Sequence, residues 1–372
     1  MIPVFKPYMD EKEANAVAEV LKSGWIGLGP KTEEFEKKFA SYIGVKHAIA
    51  VNSCTDALRL AICSLDMPKG EIITSPITFV STPHSILYNN HSPLFADIEE
   101  DTLNIDYFDI TKKVNNKTEA IIPVHYGGNC CDMDRIMNFA RLNKLKVIED
   151  CAHACGAEYK GKKAGSIGDL GCFSFHAVKN LATGDGGMIT TNDDNIEKKL
   201  KKLRWCGITK NTYERAEGKY KWDYDVEMLG YKSHMNDIIA AIGIVQLEKL
   251  EEANEKRRNI ASIYNEAFKN IGWISPLKVG EYNKTSQHNY VIRVKKDREG
   301  LIRHLEQNEI SAGVHYKPIY KHSYYKKKGF DDLGKDTPAA EAVWGSIVTL
   351  PLYPGLNSTE IEKIITAVSS YK

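Results

Sequence analysis

The sequence contains no C-x-x-C pair, although eight cysteines are present, at positions 54, 63, 130, 131, 151, 155, 172 and 206. Neither a zinc ribbon nor a thioredoxin-type redox site is indicated. Several of these thiols lie in or beside apolar strands, where they act as small hydrophobes. Cys151, His153 and Cys155 alternate, but no fourth ligand is evident for a tetrahedral site, so no metal is expected. No apolar run approaches the roughly 20 residues of a membrane span. An excess of one charge is also missing. Fifty Lys and Arg face 49 Asp and Glu, a formal net charge of +1, which exerts no overall pull on nucleic acid or an anionic membrane. Residues 1–10 lack the basic and then apolar regions of a signal peptide, so the expected compartment is the cytoplasm.

What is present is the composition of a globular enzyme, 42% hydrophobic and 27% charged. The 372 residues exceed one small core, and two domains are expected. Asp10 with Glu13 reads as a helix N-cap, Val17, Val20 and Leu21 form an apolar stripe, and Gly24 ends it. Phe35, Phe39, Tyr42 and Ile43 give a second stripe. Strands are expected at 48–51, 72–75, 94–98, 120–124, 146–150, 172–175 and 188–191, with helices between several of them. One of these is 57–65 and another is 133–142, capped by Asp132. Apolar strands alternating with helices imply a mostly parallel sheet covered on both faces. Ligands in such sheets sit beyond the carboxyl ends of the strands. Ser53, Phe79, His125, Asp150 and Lys179 all lie near such ends.

After about Asn236 the texture changes. A long helix is expected from Ile238 through the charged stretch 251–268, then a strand at 290–294, a helix at 298–307, a strand at 310–316 and a helix at 359–370. The expected division is a large domain over 1–236 and a smaller α+β domain over 237–372. The basic, aromatic-rich 317–328 reads equally as a surface loop or as a binding element for an anionic substrate.

The most informative run is Gly171 to Gly187, preceded one strand earlier by Val147-Ile-Glu-Asp-Cys-Ala-His153. Lys179 sits between two strands among small and apolar residues, with Gly184, Gly186 and Gly187 following. Small residues let backbone approach a ligand closely. A desolvated amine has a lowered pKa and can form a Schiff base. Asp150 ends its strand, and Glu149 points to the opposite face. A buried amine and a carboxylate that can hold a protonated pyridine nitrogen are what pyridoxal phosphate (PLP) chemistry requires. A surface lysine and a loop-capping aspartate are the alternatives. Ser53-Cys-Thr-Asp56 lies between a strand and a helix, where free amides suit phosphate or where Thr55 or Ser53 caps the helix. Ser174 offers a hydroxyl near Lys179, His153 could reach a phenolic oxygen, and Phe79 could stack on a ring.

Together these residues resemble the DegT/DnrJ/EryC1/StrS family of sugar aminotransferases, PLP enzymes of fold type I, the aspartate aminotransferase-like α/β fold. The resemblance covers nearly the whole chain. Ser23-Gly-Trp-Ile with Gly29-Pro looks like the family's opening motif, and Ser75-Pro-Ile-Thr-Phe-Val like its ring-stacking segment. Val124-His-Tyr-Gly-Gly-Asn with Cys131-Asp-Met-Asp, then Glu149-Asp-Cys-Ala-His-Ala and Ser174-Phe-His-Ala-Val-Lys-Asn, follow in order. Ile238 to Leu250, His315-Tyr316 and Leu350-Pro-Leu352 match the carboxyl-terminal part. The resemblance implies that Lys179 holds PLP and shuttles a proton, and that Asp150 pairs with the pyridine nitrogen. It also implies that Phe79 stacks on the ring and His153 contacts the phenolic oxygen. By the same resemblance the Thr55 and Asp56 amides with the Ser174 hydroxyl would bind phosphate. It further implies a homodimer with shared sites, an amino-acid donor and a keto-sugar nucleotide acceptor.

The sequence departs from the family in three places. Gly230-Tyr-Lys-Ser-His234 replaces the commoner Gly-Tyr-Asn-Tyr-Arg or Gly-Tyr-Lys-Tyr-Asn. His234 or Lys232 is therefore the expected phosphate contact to the neighbouring subunit, and extended alternation places both on one side. Cys54 stands where glycine is usual. Gln287-His-Asn-Tyr290 differs from the frequent Ser-Trp-His version. A sugar dehydratase of the same family would carry histidine in place of Lys179, and a small phosphorylated ketone is the other acceptor considered.

Overall fold

Apolar residues at consecutive rather than alternating positions determine where the strands lie. β1 (His47–Val51), β2 (Glu71–Thr74), β3 (Ser92–Phe95), β4 (Thr118–Ile122), β5 (Lys146–Asp150), β8 (Leu170–Ser174) and β9 (Gly187–Thr191) form one sheet. Most of their residues are buried, as in strands covered on both faces. They belong to a computed structural model that describes residues 1–209, 223–330 and 333–371. The sheet order is β1–β9–β8–β5–β4–β2–β3. β9 runs antiparallel to β1 and β8, and the remaining pairings are parallel. Six strands therefore send their carboxyl ends to one edge, and the start of β9 lies there too, with Gly187 opposite both Val51 and Ser174.

Helices cover the sheet. α1 (Glu11–Ser23) carries the expected capping box of Asp10 and Glu13 and ends at Gly24, whose φ of 75° is left-handed. α2 (Pro30–Ile43) buries Phe35 and Phe39. These two rings interlock with Phe173 and Phe175 at centroid distances of 5.0–5.9 Å. α3 (Cys54–Ser64) begins three residues before the expected start, because Ser53 rather than a later residue caps it. α4 (Ser81–Tyr88) follows the loop after β2.

The long helix Asp237–Phe268 links two cores. Its Ala240, Ile244 and Leu250 pack in the large core with α2 and the sheet. Its Ile260, Ala261, Tyr264 and Phe268 pack in a second core. That core surrounds an antiparallel sheet, β10 (Ile274–Pro276), β12 (Tyr290–Val294) and β13 (Ile347–Leu350), and it also takes in Ile2 from the chain start. A short ribbon, β6 (Glu158–Tyr159) with β7 (Lys162–Lys163) and β11 (Asn283–Lys284), fastens the segment before β12 to the large unit. No helix among the described residues is long and apolar enough to cross a membrane.

The strand expected over 310–316 is not formed. Ile310 and Gly313 make only isolated bridges, to Ile2 and Thr349. Beyond them hydrogen bonds outside any ladder take over. The His315 Nδ1 meets Thr349 Oγ1 at 2.9 Å, and the His315 carbonyl accepts from the Tyr126 hydroxyl.

Phe39 is the hub of the aromatic interlock and is fully buried. Phe39→Ala is expected to cost about 3–5 kcal/mol, read as a lower guanidinium midpoint. Phe108→Ala, at an exposed ring, should stay within about 0.5 kcal/mol of the parent.

Candidate active site

The two carboxylates that end β5 face opposite sides of the strand. Glu149 is fully buried. Its Oε1 accepts from the Ile167 and Gly168 amides at 2.8 and 2.7 Å, and its Oε2 from the Gly165 amide at 3.0 Å. Oε2 also lies 3.0 Å from His125 Nε2. His125 Nδ1 accepts from the Cys131 amide at 3.1 Å, so the ring proton is on Nε2 and is donated to Glu149. Burial pushes the Glu149 carboxyl up, but His125 and the loop amides more than offset this and hold it below the usual carboxylate range. Cys151 completes a close buried group with His125 and Glu149, but both His125 nitrogens are already engaged.

Asp150 is buried on the other face. Its Oδ2 accepts from the Thr82 hydroxyl at 2.8 Å and its Oδ1 from the Ala152 amide at 3.1 Å. Burial raises its pKa, and Thr82, Ala152 and the Lys179 ammonium counter that rise. Lys179 lies in the turn between β8 and β9, where its amide donates to the His176 carbonyl at 2.8 Å. Among the described residues its amine forms no hydrogen bond and no ion pair. Burial lowers the amine pKa to about 8, against the upward pull of Cys54 and Asp150.

The start of α3 faces the same edge. Ser53 Oγ accepts from the Asp56 amide at 3.1 Å, so that amide is spent on capping. The Asp56 carboxylate pairs with Arg59 at 2.7 Å. The Cys54 and Thr55 amides make no hydrogen bond among the described residues, and Thr55 Oγ1 meets Ser81 Oγ at 2.7 Å. The loop rests directly on β9. A Cβ at Gly187 would lie 2.5 Å from the Ser53 carbonyl carbon, so only glycine permits this approach. Ser174 is buried beside it at the end of β8.

His153 Nδ1 accepts from the Gly127 amide at 3.3 Å, and its Nε2 lies 3.0 Å from the Tyr316 hydroxyl. The Nε2 proton therefore goes to Tyr316, which keeps its own proton to donate. Burial, then Lys179 and His315, hold His153 well below its ordinary pKa. The His288 ring lies 4.6 Å from that of His153, tilted by 36°, and its Nδ1 meets Asn180 Oδ1 at 3.0 Å. Phe79 is 57% exposed, with its ring 6.2 Å from Tyr316. The 317–328 segment is anchored rather than free, since Tyr320 and Tyr325 are buried.

His234 does not join this cluster within the chain. It pairs with Val51 beside the α3 loop, but its ring abuts Trp205 at 4.3 Å. Lys232 lies over the same indole at 3.5 Å, while Ser233 turns away to accept from Arg59 at 3.1 Å. Lys232 and His234 thus share a side, as alternation requires. With Gly24 to Leu28 and Trp205 they line a cavity of about 350 Å³. His234 Nδ1 is buried there without a partner, and burial, then Lys232 and Arg204, lower the ring pKa to about 4.

The residues at the strand edge fit PLP. They supply an unpaired amine of lowered pKa, a buried carboxylate for a pyridine nitrogen, two open amides at a helix start and the Ser174 hydroxyl. Thr82, Tyr316 and His288 were not singled out from sequence. Thr82 lies two residues beyond the Ser75–Val80 stretch, Tyr316 sits in a stretch noted only for family likeness, and His288 in one noted only as a departure from the family.

Comparison with known proteins identifies a family. The model of the DegT/DnrJ/EryC1/StrS aminotransferase family matches residues 7–369. The chain is 41% identical to the spore coat polysaccharide biosynthesis protein SpsC of Bacillus subtilis, over 99% of this chain and 96% of that protein. It is 34% identical to the UDP-4-amino-4-deoxy-L-arabinose–oxoglutarate aminotransferase of Shewanella sediminis, over 99% and 97%. The fold superposes with a TM-score of 0.93 on the putative sugar aminotransferase Spr1654 from Streptococcus pneumoniae in its PMP form. The two are 32% identical, over 99% of this chain and 98% of that one.

An amine that titrates near pH 8 reacts with acylating reagents where surface lysines, near pH 10.4, do not. In the cofactor-free protein, Lys179 is expected to show half-maximal labelling at a pH of about 8, followed by peptide mass spectrometry. Labelling of Lys179 only alongside the surface lysines would contradict the placement of its amine.

Proposed function

The chain belongs to the DegT/DnrJ/EryC1/StrS aminotransferase family, and on that footing we propose that it moves an amino group from glutamate to a keto group of a nucleotide-linked sugar. It is a PLP-dependent aminotransferase. The observation that carries the reading is the unpaired Lys179 amine at the same sheet edge as the buried Asp150. When bound, PLP supplies an electron sink and a carrier for the amino group. Lys179 would hold it covalently and then move a proton at the substrate α-carbon. The neutral fraction this requires is supplied by its lowered pKa. Asp150 would keep the pyridine nitrogen protonated, and that cation would offset the cost of burying its carboxylate. The Cys54 and Thr55 amides and the Ser174 hydroxyl would take the phosphate, with the Asp56 amide committed to its cap. Phe79 would cover the ring, and His153 with Tyr316 would meet its phenolic side.

In the first half-reaction the donor leaves as its oxo acid, and in the second the ketone leaves as an amine. Glutamate as donor is supported by the oxoglutarate in the name of one relative. Sugar in the names of several relatives favours a sugar over a small phosphorylated ketone. Lys179 separates the chain from the histidine-bearing dehydratases. The same proposal places the reaction in the cytoplasm, divides the chain into a PLP-binding unit over 1–236 and a smaller unit over 237–372, and completes each site from a second copy. His234, which lines an open cavity beside Lys232, would then reach the neighbour's phosphate.

The acceptor is tested by incubating the pyridoxamine-loaded enzyme with a panel of keto-sugar nucleotides. A product with the mass of the amino sugar supports the reading, and conversion of small phosphorylated ketones alone would replace it. Asp150→Asn removes a charged hydrogen bond that contributes roughly 1.5–3 kcal/mol, so turnover should fall at least about tenfold. Near-normal turnover would give the role to another group. His234→Ala or Lys232→Ala should weaken PLP retention in a dimeric parent. Unchanged affinity in both, or a monomeric parent that holds PLP tightly by sedimentation, would remove the shared site.

A further inference from the structure

Arg257 on the long helix is 3% exposed, and its Nε and Nη1 are buried without hydrogen-bond partners. Alone among the described arginines, it makes neither a hydrogen bond nor an ion pair. Arg204, also buried, pairs with Glu36 and donates to the Ala50 carbonyl, and Arg59 pairs with Asp56. A buried guanidinium with nothing opposite it carries a desolvation cost that a bound anion would offset. Burial alone draws its pKa down to about 10.

Its place in the fold points to the active edge. One turn earlier on the helix, Asn254 Oδ1 accepts from Asn180 Nδ2 at 2.7 Å, and Asn180 directly follows Lys179. Residues three apart on a helix share a face. Asn180 also holds His288, which is sandwiched between His153 at 4.6 Å and Phe5 at 5.2 Å. Burial, then Lys179, His153 and Arg257, hold His288 well below its ordinary pKa. Two cations without an ion-pair partner therefore act on one cluster of neutral rings. The cofactor accounts for Lys179 and leaves Arg257 without a counter-charge.

We propose that Arg257 is a specificity-determining residue that binds a carboxylate of the amino-acid donor and of the oxo acid it becomes. This rests on the aminotransferase reading above. A guanidinium offers a planar fork that takes a carboxylate bidentately. The bulky diphosphate of a nucleotide sugar does not suit a group so deeply buried. Only the donor half-reaction should depend on it.

The test compares the parent with Arg257→Gln and Arg257→Lys as holoenzymes. Calorimetry measures 2-oxoglutarate binding to the pyridoxamine form, and stopped-flow absorbance follows bleaching of the PLP form by glutamate and by alanine. Arg257→Gln should weaken 2-oxoglutarate binding at least about tenfold, with Arg257→Lys in between and acceptor affinity unchanged in both. Slowed bleaching by both donors assigns the α-carboxylate, and by glutamate alone the side-chain carboxylate; either supports the proposal. If Arg257→Gln does not fold, the lysine variant decides, and parental 2-oxoglutarate affinity in it overturns the inference. So does selective loss of nucleotide-sugar affinity, or melting lowered in the variants with oxo-acid affinity intact. A parent that bleaches with no amino acid and binds no oxo acid overturns the function reading and this inference together.

Discussion

A carboxylate with no access to water must have its lone pairs satisfied by the protein, and at Glu149 that requirement holds the active edge together. Three amides from residues 165–168 and the His125 ring converge on it. The 165–168 loop leads straight into β8, which carries Ser174 and then Lys179. His125 follows β4, and its amide donates to the Asp150 carbonyl. Because side chains alternate along a strand, seating Glu149 on one face of β5 fixes Asp150 on the other. The relative placement of the acid and the amine thus depends on a side chain that bonds to neither of theirs. The adjacent loop that opens α3 has a similar dependence, since its position requires that Gly187 have no side chain.

The sheet and much of the site were legible because they depend on local pattern. Buried strands read as apolar runs, and candidate residues stood just past their ends. Asp150 and Lys179 could be marked this way without knowing the strand order. The failure at 310–316 marks the limit. An alternating segment becomes a strand only with a ladder partner, and here single bridges to Ile2 and Thr349 are all it finds. The start of α3 moved because capping depends on which hydroxyl reaches an amide, and Ser53 reaches first. Tyr316 and His288 were hidden for another reason. Their contacts to His153 and Asn180 cross 163 and 108 residues. Arg257 sits in Glu255-Lys-Arg-Arg258, which reads as a solvated helix face. Only the packing of the long helix against both cores turns one of these four inward.

Charge in the crevice follows from the same burial. His153, His288 and His315 are all held neutral, the last at about 4 by burial and Lys179. The charges that remain are one acid, Asp150, and one cation, Lys179, with the unpaired Arg257 buried on the neighbouring long helix. Such a site suits a ligand that brings a pyridinium to the acid, an electrophile to the amine and an anion to the guanidinium. An amino acid reacting on PLP brings this combination, and a purely structural crevice has no need of it.

If Lys179 is the amine that carries the cofactor, borohydride reduction of the PLP-loaded protein, followed by proteolysis and peptide mass spectrometry, will yield a single pyridoxyl-modified peptide, containing Lys179. Modification of a different lysine, or no modification of a protein that has taken up PLP, would contradict that assignment.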